Sequence, residues 1–264
     1  MSLAPRTALL AGAIGLGSGV VAGLFGIGGG VVIVPALVLI LGLAQLEAAA
    51  VSLVAIAVGT SSALIPFVLE GRVILPAGIA LAIGAIVGAF AGSRFAHRIP
   101  ERVLAWTFVA VVGAAAIRML IPGQGGVETT VDLDPPLIGL LVAVGLGAGV
   151  LSVLLGIGGG IIYVPALVIL ADLAQHTAQG TSLVAILPAA LVGVLGHGRA
   201  GRMRWRLAGA VSAGSFLGGF GGAWLAQQLA ADRLQVAFGI LLVVMAVRMA
   251  VSAGRPTTSS APPA

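Results

Sequence analysis

Two stretches of this chain place bare backbone amides where a ligand can meet them. Gly23–Leu37 reads GLFGIGGGVVIVPAL, and Val153–Leu167 reads VLLGIGGGIIYVPAL. A glycine inside a helix costs roughly 1 kcal/mol relative to alanine. Gly26, Gly28, Gly29 and Gly30, with Pro35 five residues beyond, therefore predict a helix that opens, as do Gly156, Gly158, Gly159, Gly160 and Pro165 in the second copy. Past each run a helix restarts, at Val31 and at Ile161. Its first turn has free N–H groups and a positive end equivalent to about half a charge. Bare N–H groups in a row, on residues that let a ligand approach the backbone, suit an oxyanion.

Small residues also serve helix packing, but packing asks for a spacing of four rather than three glycines in succession. That spacing occurs at Gly15, Gly19 and Gly23, at Gly84, Gly88 and Gly92, and at Gly214, Gly218 and Gly222. These read as close helix contacts, between repeats or between protomers, and leave room for a homodimer.

Polar side chains add to the glycine runs. Ser52 in the first half, and Gln179, Thr181 and Ser182 in the second, open an apolar segment that follows each run. If the chain folds back they can donate hydrogen bonds to a bound oxyanion; the competing use of Ser and Thr is to bond back to their own helix. Thr60, Ser61 and Ser62 carry less weight, because the equivalent stretch is Ala190, Leu191 and Val192. No Asp, Glu, Lys or Arg lies centrally in an apolar segment, so a carboxylate proton relay has no obvious member. Glu47 and Asp172 flank the second apolar segment of each half and are the remaining candidates for ion coupling, although the plainer reading is solvated loop ends.

Asp172 and His176 share a helical spacing, but two ligands make a poor metal site. Cysteine is absent, which removes thiolate chemistry and cysteine metal sites. The glycine run resembles half a dinucleotide fingerprint, yet no alternating strand precedes it and no acidic residue follows at the ribose distance. No metal or cofactor is expected. Without a Ser/Lys dyad or an aspartate pair inside a span, enzymatic chemistry is not expected either.

The elements that position these residues follow from composition. Of 264 residues, 59% are hydrophobic and 8% charged, with a mean hydropathy of +1.20. A water-soluble surface cannot be built from that, so the chain is read as an all-α polytopic membrane protein. The net charge of +5 comes from arginine alone, set in short loops between apolar segments. That is a topology signal rather than a nucleic-acid surface. Met1–Gly23 has the look of a signal peptide, with Arg6 ahead of an apolar core, but its counterpart recurs at Leu137–Val153, and it is read as retained.

The two glycine runs align at an offset of 130 residues, and the offset holds without a gap to the end of the apolar region. Ser52–Ile56 matches Ser182–Ile186, Gly71-Arg72 matches Gly201-Arg202, and Arg118-Met119 matches Arg248-Met249. One membrane unit has been duplicated, the usual construction of secondary transporters. Each unit has five apolar segments, in the first at about 8–25, 30–43, 48–69, 73–95 and 103–121. The first two form a hairpin bent at the glycines, and the last three are long enough to span.

In the first unit the loop between segments four and five is basic (Arg94, Arg98, Arg102, with His97). In the second the loop between three and four is basic (Arg199, Arg202, Arg204, Arg206, with His197). If basic loops are cytoplasmic, the units are inserted upside down relative to each other. Both termini then lie inside, and only Arg72, Arg118 and Arg233 face out. The expected organisation is repeat 1 over 1–121, an acidic extracytoplasmic linker over 122–136, repeat 2 over 137–253 and a disordered cytoplasmic tail over 254–264.

The paired GIGGG-x4-PAL motifs, TSLVAI at Thr181–Ile186 and the two-unit layout resemble the TauE/SafE-like sulfite exporter family over essentially the whole chain. The resemblance implies a bacterial inner-membrane carrier for sulfite, sulfoacetate or other sulfonates, usually thought to export them. It implies roles for Gly26, Gly28, Gly29, Gly30, Pro35, Gly156, Gly158, Gly159, Gly160, Pro165, Thr181 and Ser182. The first unit departs from the pattern with Val51 in place of Thr. From the residues alone, three readings stay open: an alternating-access carrier for a small oxyanion, a passive anion channel, and a non-transporting membrane scaffold.

Overall fold

A computed structural model describes residues 4–95, 101–121, 133–155, 159–199 and 203–254. Among these residues the chain forms ten helices and no β-strand: α1 (Pro5–Phe25), α2 (Gly30–Leu41), α3 (Gln45–Leu69), α4 (Leu75–Phe95), α5 (Glu101–Leu120), α6 (Pro135–Leu155), α7 (Gly160–Leu170), α8 (Gln175–Arg199), α9 (Trp205–Gln228) and α10 (Ala231–Gly254). The five helices of each half answer the five expected segments. His197 lies within α8 rather than in the loop beyond it. The linker's residues 122–132, the tail 255–264, His97 and Arg98 lie outside the described residues.

Helix ends follow local chemistry. Pro5 opens α1, where its missing N–H costs nothing, and Gly26 closes it at φ 69°, donating to Ala22 O at 2.8 Å. Gly71, at φ 67°, turns α3 toward α4, and Arg72 N returns to Phe67 O at 2.8 Å. Pro35 and Pro165 correct the sequence reading: both lie inside α2 and α7, so the prolines do not break the chain. Each removes a single ladder bond in a helix packed among neighbours, which membrane helices tolerate.

Among the described residues, six helices have the length and hydropathy to cross a bilayer: α1, α3, α4, α6, α8 and α10. Although 24 residues long, α9 is richer in Gly, Ser and Gln and is not among them. The 12 residues of α2 and the 11 of α7 reach only about 18 Å and 16 Å at 1.5 Å per residue, against a hydrocarbon core of about 30 Å. Neither can cross.

Glycine seams hold the long helices together. Gly15, Gly19 and Gly23 of α1 lie against Val211, Ser215 and Gly219 of α9, while Gly214, Gly218 and Gly222 of α9 lie against Gly12, Leu16 and Val20. The same seam recurs where Gly84, Gly88 and Gly92 of α4 meet Val142, Leu146 and Val150 of α6, and Gly145 and Gly149 meet Leu81 and Ala85. Except for Gly23 with Gly219, each of these contacts maps onto another when 130 is added to one residue and subtracted from its partner. Numbers rise together along each seam, so α1 runs parallel to α9 and α4 to α6. The first helix of each half thus packs on the fourth helix of the other.

Between these seams lie α3 and α8, the third helices of the two halves. Leu53 contacts Gly193, Ile56 and Ile186 both reach Gly28, and Phe67 contacts Gly180. As numbers rise in α3 they fall in α8, so the two equivalent helices run antiparallel. Two residues of α3 tie it to α9, because Gly59 backs onto Ser215 and Ser62 Oγ donates to Phe216 O at 2.8 Å. The pair α5 and α10 packs beside this centre, where Gln235 Nε2 donates to Met119 O at 3.1 Å.

Candidate functional site

The first glycine run makes a tight turn between α1 and α2. Gly26, Gly28 and Gly29 take φ values of 69°, 78° and 79°, a left-handed backbone that L side chains rarely adopt. The α2 helix then starts with both Val32 N and Ile33 N bonded to Gly29 O, at 3.0 Å each. The N–H groups of Gly30 and Val31 are left without an acceptor in the helix. At the second run α7 repeats this arrangement, with Ile162 N and Tyr163 N bonded to Gly159 O at 3.0 and 3.1 Å, which leaves Gly160 and Ile161. Gly26 to Val31 and Gly159 to Ile161 are all buried.

The structure brings the two runs together. A Cβ at Gly160 would lie 2.5 Å from Ile27 Cα and 2.7 Å from Ile186 Cδ1, and one at Gly28 would lie 2.9 Å from Ile186 Cγ2 and 3.3 Å from Ile56 Cγ2. The starts of α2 and α7 therefore converge beside the crossing of α3 and α8. Gly156 and Gly158 lie outside the described residues.

The start of α8 closes over the first turn. A Cβ at Gly26 would meet Gln179 Cα at 2.8 Å and Gln179 Cβ at 2.9 Å. Ser182 Oγ lies 2.6 Å from Gly26 O and 2.7 Å from Gln179 O and shares its one proton between them, so it bridges helix and turn. Gln179 is fully buried, and neither atom of its side-chain amide has a hydrogen-bond partner. An unpaired buried polar group costs about 1–3 kcal/mol, which a ligand can restore.

The other expected residues fall elsewhere. Ser52 Oγ bonds to Ala49 O at 2.8 Å, back to its own helix. Thr181 Oγ1 accepts from Ile74 N at 3.0 Å, which ties the start of α8 to the α3–α4 connection rather than to the glycine turn. Glu47 pairs with Arg204 Nε at 3.6 Å with both side chains partly exposed, a surface contact of small value. Asp172 sits exposed in the α7–α8 connection at φ 48°, and His176 Nε2 engages Ala226 O at 2.9 Å. No group of three or more His, Cys, Asp or Glu occurs among the described residues that could hold a metal ion.

Gln175 and Tyr163 escape sequence reasoning at this place, and Thr60 carries little weight there. Gln175, one turn before Gln179, is 1% exposed with its whole amide unpartnered, and Thr60, one turn beyond Ile56, is buried with a free Oγ1. Tyr163 is buried with its phenol folded over Gly159. A signal existed for Tyr163: it is the one tyrosine of the chain, and it replaces Ile33 in an otherwise apolar match between the two motifs.

A bundle with, among its described residues, six helices long and apolar enough to cross a membrane, two short helices meeting start to start, and no buried acidic or arginine side chain defines a multi-pass membrane protein. The particular family is given by sequence: residues 2–119 and 141–264 match the family described as sulfite exporter TauE/SafE, and the chain belongs to that family. A protein of Xylella fastidiosa (strain Temecula1) named "Probable membrane transporter protein" is 28% identical over 203 residues, covering 74% of this chain and 76% of that one. "Probable membrane transporter protein YunE" of Bacillus subtilis is 29% identical over 121 residues, 43% of this chain and 44% of its own. No solved structure matches. The chain is thus a membrane transporter of the TauE/SafE family.

Proposed function

We propose that this protein carries small sulfur-containing oxyanions, such as sulfite, sulfoacetate or other sulfonates, outward across the bacterial inner membrane by alternating access at the interface of two inverted repeats. The observation that carries this reading is the contact of Gly160 with Ile27, which brings the electropositive starts of α2 and α7 to one buried place. Two further observations support it. Gln179 offers an unspent amide against the first turn, and the antiparallel course of α3 and α8 is what a two-fold axis in the membrane plane requires of equivalent helices. In this reading Gly28, Gly29, Gly30 and Val31 with Gly158, Gly159, Gly160 and Ile161 supply backbone N–H groups, Gln179 supplies its amide, and Ser182 fixes the turn.

On the arginine distribution both termini are cytoplasmic, and the acidic linker is external. The glycine faces that left room for a homodimer are occupied within the chain, so a dimer would need another surface.

Purified protein in liposomes tests the reading. Saturable efflux of sulfite or sulfoacetate is expected. Flux that never saturates, or unitary currents, selects a passive anion channel, a reading favoured by the lack of buried acids among the described residues. Absence of both flux and binding leaves a non-transporting scaffold.

A further inference from the structure

The first two turns of α8 hold a cluster of buried polar groups, and most of them are already engaged. Ser182 is bonded to Gly26 O and Gln179 O, Thr181 to Ile74 N, and His176 to Ala226 O. Gln175 and Gln179 are the exceptions: they are 1% and 0% exposed, and all four of their amide N and O atoms lack partners. Four residues apart on one helix, they stand one above the other, with side chains leaning toward the helix start. Gln179 leaves α8 directly against Gly26, so it borders the turn between α1 and α2, and Gln175 stands one helical turn from it.

An amide, whichever way it is turned, presents an NH2 that donates and a carbonyl that accepts. Two of them ask a ligand for acceptors and also for hydrogen-bond donors. A fully ionised sulfite or sulfate has acceptors only, and would leave both glutamine carbonyls unpaired against its own charge. The charge balance points the same way. Two helix starts supply together roughly one positive charge, about half from each. No arginine is fully buried among the described residues to offset a second negative charge, although half-buried Arg72, in the α3–α4 connection, is close enough to act on His176.

We infer that the site is built for a monoanion bearing at least one hydrogen-bond donor, as in hydrogen sulfite or a hydroxylated sulfonate, with Gln175 and Gln179 reading the donor. This rests on the reading that the glycine turns hold the ligand, and it goes further by naming the ligand's charge and protonation.

The test compares 2-hydroxyethanesulfonate with ethanesulfonate, equal in charge and differing by one hydroxyl, by calorimetry on the full chain in nanodiscs. About tenfold tighter binding of the hydroxylated anion is expected, the value of one recovered buried hydrogen bond. Gln179→Leu, checked for monodisperse elution, should bring the ratio of the two affinities close to one, and Gln175→Leu provides a second variant should the first not fold. Sulfite should bind more tightly as pH falls and its monoanion accumulates. Equal binding of the two sulfonates by the unaltered protein, or sulfate as the tightest ligand, overturns the inference and leaves the transport reading standing. If no anion of the panel binds, both fall together.

Discussion

At the scale of single residues, counterparts in the two motifs are not equivalent. Gly29 needs a left-handed backbone at φ 79° and faces Ser18 O, 3.0 Å from where a Cβ would be. Its counterpart Gly159 has an ordinary φ of −69° and faces the Tyr163 ring instead. Gly29→Ala is therefore expected to cost about 1–2 kcal/mol through the backbone alone, seen as a lower unfolding temperature in detergent. Gly159→Leu should abolish flux while the protein still inserts, because the side chain takes the space between Tyr163 and the helix start; normal flux in liposomes would refute the site. Ser182 carries the one hydrogen bond described between α8 and the first turn. Ser182→Ala leaves Gly26 O unpaired in a buried place and should lower stability by about 1–3 kcal/mol, read as the shift of a denaturation midpoint.

At the scale of elements, what matters is how closely backbones approach. A Cβ at Gly19 would lie 2.7 Å from Ser215 O, and one at Gly149 2.9 Å from Ala85 Cα. Neither neighbour is the flexible end of a side chain, so helices must part to admit anything larger. Gly19→Leu and Gly149→Leu should each destabilise the fold by about 3 kcal/mol or more, whereas Gly17→Leu on the same helix as Gly19 has nothing within 4 Å and should be neutral. Thermal unfolding of the three variants in one detergent checks the contrast, and equal behaviour of Gly17→Leu and Gly19→Leu would contradict the seam. The elements were largely legible in the sequence. Apolar runs give α1 to α10, and the glycine triplets give the breaks before α2 and α7, because hydropathy and glycine act locally. The prolines misled: Pro35 sits six residues into α2, where the packing of neighbouring helices outweighs the loss of one ladder bond.

At the scale of the whole molecule, the two halves are interlocked rather than side by side. Because the first helix of each half is seamed to the fourth helix of the other, neither half has a complete set of partners on its own, and the paired α3 and α8 cross at the centre. The antiparallel crossing and the arginine distribution both lead to a topological expectation. The chain has no cysteine of its own, so single cysteines report cleanly. Glu128→Cys should react with an impermeant maleimide from outside intact cells, while Arg204→Cys should react only after permeabilisation. The reverse pattern would turn the molecule over, and labelling of both from one side would remove the proposed inversion.

The membrane class, the duplication at an offset of 130, the segment boundaries and the glycine breaks were all determined by the sequence alone, because each depends on composition or on neighbours along the chain. It also put Gln179 and Ser182 among the candidates, because they open the apolar segment that follows the second glycine run and can donate hydrogen bonds if the chain folds back. Only the tertiary structure decided that Gly160 meets Ile27, that Ser182 grips the first turn while its equivalent Ser52 bonds to its own helix, and that Thr181 is turned away toward Ile74. Those outcomes depend on which helix faces which across more than a hundred residues of chain. No local periodicity carries that information, because in a helix apolar on every side the pattern no longer says which face is inward.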